Sequence, residues 1–181
     1  MRFHHTLTTL ILPSAALSLA LPTSPSKTTE DDSSTPCGLY PYPTAPTNPP
    51  SCWVWETQPG DPSDYCGATT PSIVSSISSS SASWLDNCST LRDAQIASNR
   101  DYLLADYATD HFNTLLTSGG CAFEVQPATL PSSDQVYLGG TDVVDVLGAA
   151  IDTAKTSSGK NGVEGSMTCA PGEVKWRVVP I

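Results

Sequence analysis

The chain has 181 residues, with 18 acidic side chains against 8 basic ones and a formal net charge of −10 at pH 7. So negative and cation-poor a surface excludes nucleic acid and anionic membranes as partners. The charge itself reads as a solubility device suited to an acidic exterior.

The first twenty residues read as a secretory signal. Arg2 and two histidines precede an apolar run from Leu7 to Leu19, and Ser18 and Ala20 stand at the −3 and −1 positions of a cleavage site. The run is too short to span a bilayer, and no later stretch is long and apolar enough. The protein is therefore expected to be secreted, extracellular and soluble. Residues 21–65 hold ten of the sixteen prolines, with Ser, Thr and the acidic run Glu30-Asp31-Asp32, and read as an extended, flexible leader. Cys37 and Cys52 inside it can close a local loop. Cys52-Trp53-Val54-Trp55 interrupts the leader with an aromatic patch. It is either a surface contact for a ligand, such as stacking on a glycan, or an edge strand covering the core; the second reading is preferred because two aromatics specify little.

From Cys66 to Ile181 the composition is that of one compact domain. Ile73, Val74 and Ile77 sit in a serine-rich stretch that suits an irregular strand. Leu85, Cys88, Leu91, Gln95 and Ile96 fall near helical spacing, with Asp86 available as a cap and an end by Asn99. Tyr102–Tyr107 and Phe112–Leu116 are shorter strand candidates. Cys121, Phe123 and Val125 alternate with Ala122 and Glu124, the period-2 pattern of a half-buried strand. Val136–Leu138 is a short strand, after which Thr141 can cap a helix. In that helix Val143, Val146, Leu147, Ala150, Ile151 and Ala154 form one apolar stripe. Asp142 in its first turn and Lys155 in its last suit the helix dipole. Val163, Gly165, Met167 and Cys169 share one strand face, and Pro171-Gly172 turns the chain into the alternating Glu173–Val178. The fold class is α+β: an antiparallel sheet with two helices packed on one face, an α/β-sandwich, disulfide-stabilised.

All six cysteines (Cys37, Cys52, Cys66, Cys88, Cys121, Cys169) lie beyond the signal, and an even number in an oxidising compartment implies disulfides. No C-x2-C pair exists and only His111 remains beyond residue 20, so neither metal nor cofactor is expected. Cys121 and Cys169 end the apolar faces of two strands and can pair if those strands are neighbours. Crossed pairings with Cys66 and Cys88 stay open.

Few residues offer catalysis. There is no G-x-S-x-G elbow, no H-E-x-x-H and no phosphate-binding glycine loop. His111 beside Asp110 can serve a hydrolase triad, and Asp106, Asp110 and Glu124 can supply paired carboxylates, but a solvated sheet face explains the carboxylates as well. Asp142 and Asp145 suit a helix N-terminus better than a metal. Asn87-Cys88-Ser89 is an N-glycosylation sequon, with Asn87 the candidate acceptor.

Five stretches resemble, in order, the secreted fungal Ecp-two effector family, also described as necrosis-inducing factors. They are Cys66-Gly67; Asp86-Asn87-Cys88 with Leu91; Gly119-Gly120-Cys121-Ala122-Phe123; Gly139-Gly140-Thr141-Asp142-Val143-Val144-Asp145; and Gly165-Ser166-Met167-Thr168-Cys169 followed by Val174-Lys175-Trp176. The resemblance runs from about Cys66 to Val178. Three features depart from it: Asn87 separates the acid from Cys88, Glu124 replaces a glycine, and the leader with Cys37 and Cys52 lies outside the shared module. The resemblance implies an apoplastic virulence or cell-death factor. The export signal, the disulfide framework and the lack of a reactive constellation read as a protein that is not an enzyme and binds a host or competitor surface target, expected as a monomer. The module also resembles viral killer toxins, which implies an antimicrobial alternative; a small secreted hydrolase is the third reading. No catalytic residue comes with the family, and the cysteines and Trp176 transfer as structural positions.

Overall fold

The structure, a computed structural model, describes residues 36–57, 60, 62–127, 129–131 and 134–181. The expected signal (1–20) and the start of the leader lie outside them. The described chain is α+β, with two helices packed against two sheets and three disulfides. Where one antiparallel sheet was expected there are two, one of them mixed.

The larger sheet is antiparallel throughout and has the order β3-β8-β9-β6-β5. It comprises β3 (Ser72–Ser78), β5 (Asn113–Ser118), β6 (Cys121–Gln126), β8 (Asn161–Thr168) and β9 (Glu173–Pro180). Its inner face follows from the alternation in the sequence. Val163, Val178 and Phe123 stand in one cross-strand row, and Gly165, Trp176 and Val125 in the next. Trp176 is fully buried and explains Gly165, because a Cβ there would lie 2.5 Å from the indole ring. Two helices pack against this sheet and against each other: α1 (Trp84–Ser98) and α2 (Gly140–Thr156). The stripe on α2 buries the residues its spacing predicts. Helix α1 buries Trp84, Leu85, Cys88, Leu91 and Gln95 and ends with Asn99 in the left-handed region, whereas Ile96 is exposed.

The smaller sheet has the order β1-β2-β4-β7: β1 (Gly38–Pro41), β2 (Trp53–Glu56), β4 (Tyr102–Asp106) and β7 (Val136–Leu138). Its first two strands run parallel and the other pairs antiparallel. Residues 36–57 thus differ from the extended leader expected of them. Pro41 lies on the outer edge strand, where no partner needs the missing N–H, Pro36 sits at an isolated bridge to Thr114, and the other prolines of this segment fall between the strands. The Cys37–Cys52 disulfide ties the segment's two halves together. Val54, Leu104, Val136 and Leu138 point inward and join the helices and the larger sheet in one continuous core.

The other two bridges are Cys66–Cys169 and Cys88–Cys121. Cys121 and Cys169 do not pair, although β6 and β8 both flank β9. Cys121 stands opposite Pro180, whereas Cys169 follows Thr168, which stands opposite Glu173. The two cysteines therefore lie at opposite ends of β9, separated by roughly 23 Å of strand rise.

Candidate functional site

The side chains singled out for chemistry are dispersed or already engaged. Asp110 and His111 form a 2.8 Å pair on the exposed turn between β4 and β5, with side chains 87% and 60% exposed. Asp106 lies on β4 in the smaller sheet, and Glu124 on β6 in the larger. Asp145 is exposed on α2. Asn87 is half-buried in the first turns of α1, its amide packed against Gly119. Among the described residues no cluster of His, Cys, Asp or Glu has the geometry of a metal site, and every cysteine is disulfide-bonded.

Asp142 does cap α2, though not alongside Thr141: Gly139 occupies the N-cap position, and its N–H donates to Asp142 Oδ2 at 2.7 Å. The same carboxylate accepts from the backbone N–H groups of Tyr65 (3.0 Å) and Cys66 (3.1 Å). Asp101 repeats the device one loop away, accepting from Ser63 (2.9 Å) and Gly140 (2.7 Å). Two buried or half-buried carboxylates thus fasten residues 63–66 to the start of α2. Burial pushes the Asp142 carboxyl up to about 6, and neighbouring Asp64 adds to the rise, against the three backbone donors that favour the charged form.

The outer face of the larger sheet carries a polar row beside the apolar pair Ala122 and Val179. The polar row crosses all five strands: Thr114, Glu124, Arg177, Glu164 and Ser72. Glu124 is not a solvated carboxylate, as its alternation suggests, but is buried in an ion pair with Arg177. Thr114 Oγ1 donates to it at 2.9 Å, and the Arg177 guanidinium lies 4.4 Å from the Phe112 ring centre. Beside this row is an open groove of about 380 Å³ bordered by Gln126, Ser166, Glu173 and Lys175.

The outer face of the smaller sheet is aromatic. Tyr40, Trp55, Leu103 and Tyr137 are in register across its four strands. Trp53 packs edge-on against Trp55 at 4.8 Å and against Tyr40 at 6.2 Å, and Tyr42 packs against Trp55 at 5.9 Å. Tyr65 extends the row beyond Tyr137, with ring centres 5.8 Å apart. Of the preferred sequence reading, an edge strand covering the core, the covering holds for Val54, but β2 is an inner strand flanked by β1 and β4. The missed signal was the matched alternation of Tyr40-x-Tyr42 with Trp53-x-Trp55, which turns four rings to one side.

These features define a small disulfide-held α+β protein whose two sheets turn one polar row and one aromatic row away from the helices. The profile of the Hce2 family, whose description reads "Pathogen effector; putative necrosis-inducing factor", matches residues 65–169. That span exceeds half of the 181-residue chain, and the protein belongs to this family. A comparison with curated proteins found no match.

Proposed function

We propose that this protein is a secreted virulence effector that provokes cell death in a host by binding a target outside the producing cell, without chemical turnover. The supporting observation is the disposition of its reactive groups: all six cysteines are oxidised, Glu124 is committed to Arg177, and Asp110–His111 is an isolated pair on an exposed turn. The family match supports the effector role, and the amino-terminal signal supports export. A rigid, disulfide-held surface binds at low entropic cost, as a receptor-directed protein requires.

Infiltration of the purified, oxidised protein into leaves of several plant species tests this reading. Dose-dependent lesions that disappear on reduction and alkylation are expected. No lesion in any host, together with growth inhibition of competing fungi or bacteria, would replace the cell-death role with an antimicrobial one.

A further inference from the structure

We propose that the outer face of the four-stranded sheet is a platform for a neutral, β-linked polysaccharide chain. Two of the four tryptophans and four of the six tyrosines gather there: Trp53, Trp55, Tyr40, Tyr42, Tyr65 and Tyr137. The row from Tyr40 to Tyr137 crosses three inter-strand steps, roughly 14 Å at the usual strand spacing. The remaining tyrosines have structural tasks: Tyr102 bonds Gln95 and Tyr107 bonds the Pro131 carbonyl. By contrast Tyr42, Tyr65 and Tyr137 are 56%, 45% and 41% exposed.

Shape and charge select the ligand. A β-linked pyranose presents apolar C–H faces that stack on aromatic rings and hydroxyl edges that hydrogen-bond to phenols and carboxylates. The strip is two rings wide at Tyr40, Tyr42, Trp53 and Trp55 and narrows to Tyr137 and Tyr65 beyond Leu103, a shape that suits a linear polymer lying across the strands. A stable protein partner would need on the order of 800 Å² of contact per side. None of the four strands carries a lysine or arginine, and Asp106 stands opposite Trp53. On a chain of net charge −10 this disfavours polyanions and admits neutral glycans.

The rings are held in place before any ligand arrives. Cys37–Cys52 joins the segments that carry Tyr40 and Trp53, and Cys66–Cys169 secures the residue after Tyr65. Tyr40 lies so close over its own strand that a Cβ on Gly38 would come within 2.6 Å of its ring. Such preorganisation reduces the ordering cost of binding. Strands β1 and β2, half of the platform's strands, precede the residues matched by the family. The platform stands independently of the cell-death role, and its test contains no tissue response.

The disulfide-intact secreted protein is incubated with insoluble cellulose, β-1,3-glucan and chitin, then titrated with soluble oligomers of whichever polymer retains it. Retention on at least one polymer is expected, and which one distinguishes a plant from a fungal wall source. Trp53, Trp84 and Trp176 are buried and Trp55 is half-buried, so a saturable change in tryptophan fluorescence reports chiefly on Trp55. Trp55→Ala and, as the milder change, Tyr137→Ala should each weaken binding about tenfold, while Lys175→Ala on the other sheet should leave it unchanged. Failure of all three polymers to retain the protein, retention that survives Tyr137→Ala, or preferential binding to polygalacturonate would overturn the proposal. So would a dimer that Tyr137→Ala dissolves, which would assign the face to a second copy.

Discussion

Glu124 and Arg177 face each other in register across β6 and β9 and are both buried, on the sheet face that carries no helix. An ion pair so placed is costly to break from one side, because the remaining charge loses its partner without regaining water. Arg177→Ala is expected to destabilise the protein by about 3–5 kcal/mol. Replacing both members with apolar residues of similar volume should restore most of that loss. Urea unfolding of the single and double variants measures it, and a cost below about 1 kcal/mol for the single change would place the pair among exposed bridges instead.

The Asp142 carboxyl gives the fold a pH dependence of defined sign. Its value is raised from 3.8 to about 6, so between those limits the folded chain holds a proton that the unfolded chain has released. The stability this contributes is complete below the lower limit and is lost as the pH rises through the upper one. Asp142→Asn should remove that component. The difference in urea midpoint between wild type and variant should therefore change between about pH 4 and pH 6 and level off above it. A constant difference would show that Asp142 does not titrate in this range.

The bridges should differ in consequence. Cys66–Cys169 spans 103 residues, Cys88–Cys121 spans 33 and Cys37–Cys52 spans 15. On the chain-entropy account the shortest loop is worth about 3 kcal/mol and the longest about 5. Serine replacement of Cys66 and Cys169 should lower the melting temperature most and impair secretion. Loss of Cys37–Cys52 should increase hydrogen exchange chiefly in residues 38–56. Non-reducing peptide mapping verifies the pairs.

Gly165 and Trp176 make a steric test of the core. An added methyl at Gly165 meets the indole and also the Thr70 carbonyl oxygen at 3.0 Å, which cannot move as a side-chain tip would. Gly165→Ala should cost about 1–3 kcal/mol. Trp176→Phe should be felt too, since the indole N–H donates to Thr69 Oγ1 at 2.7 Å. Near-UV circular dichroism and thermal melts read both, and wild-type stability in Gly165→Ala would contradict the packing described.

The part of the chain from Cys66 onward was legible because its periodicities are strong. The alternation of 121–126 and 161–168 and the stripe of α2 each name a buried face, and the structure buries those faces. Strand β1 was hidden by the prolines in and around it, whereas β2 was legible as a strand but not as an inner one. Their pairing depends on a disulfide and on a contact as distant as the Cys37 N–H to the Thr114 carbonyl, 2.8 Å, and no local pattern encodes either. The same limit governs the bridges: alternation shows which face Cys121 and Cys169 occupy, but not which end of β9 each one meets. Glu124 was legible as an outward position, while its burial depends on Arg177, fifty-three residues later. The aromatic face required both halves at once, since its row is completed by Leu103 and Tyr137 from distant parts of the chain.

In the proposed function, activity comes from a disulfide-held surface and not from a reactive centre. The most direct measurement is the half-maximal dose for leaf lesions with wild-type protein and with His111→Ala, both verified as folded by circular dichroism. Equal doses are predicted. A folded His111→Ala protein that no longer causes lesions at any dose would contradict the account.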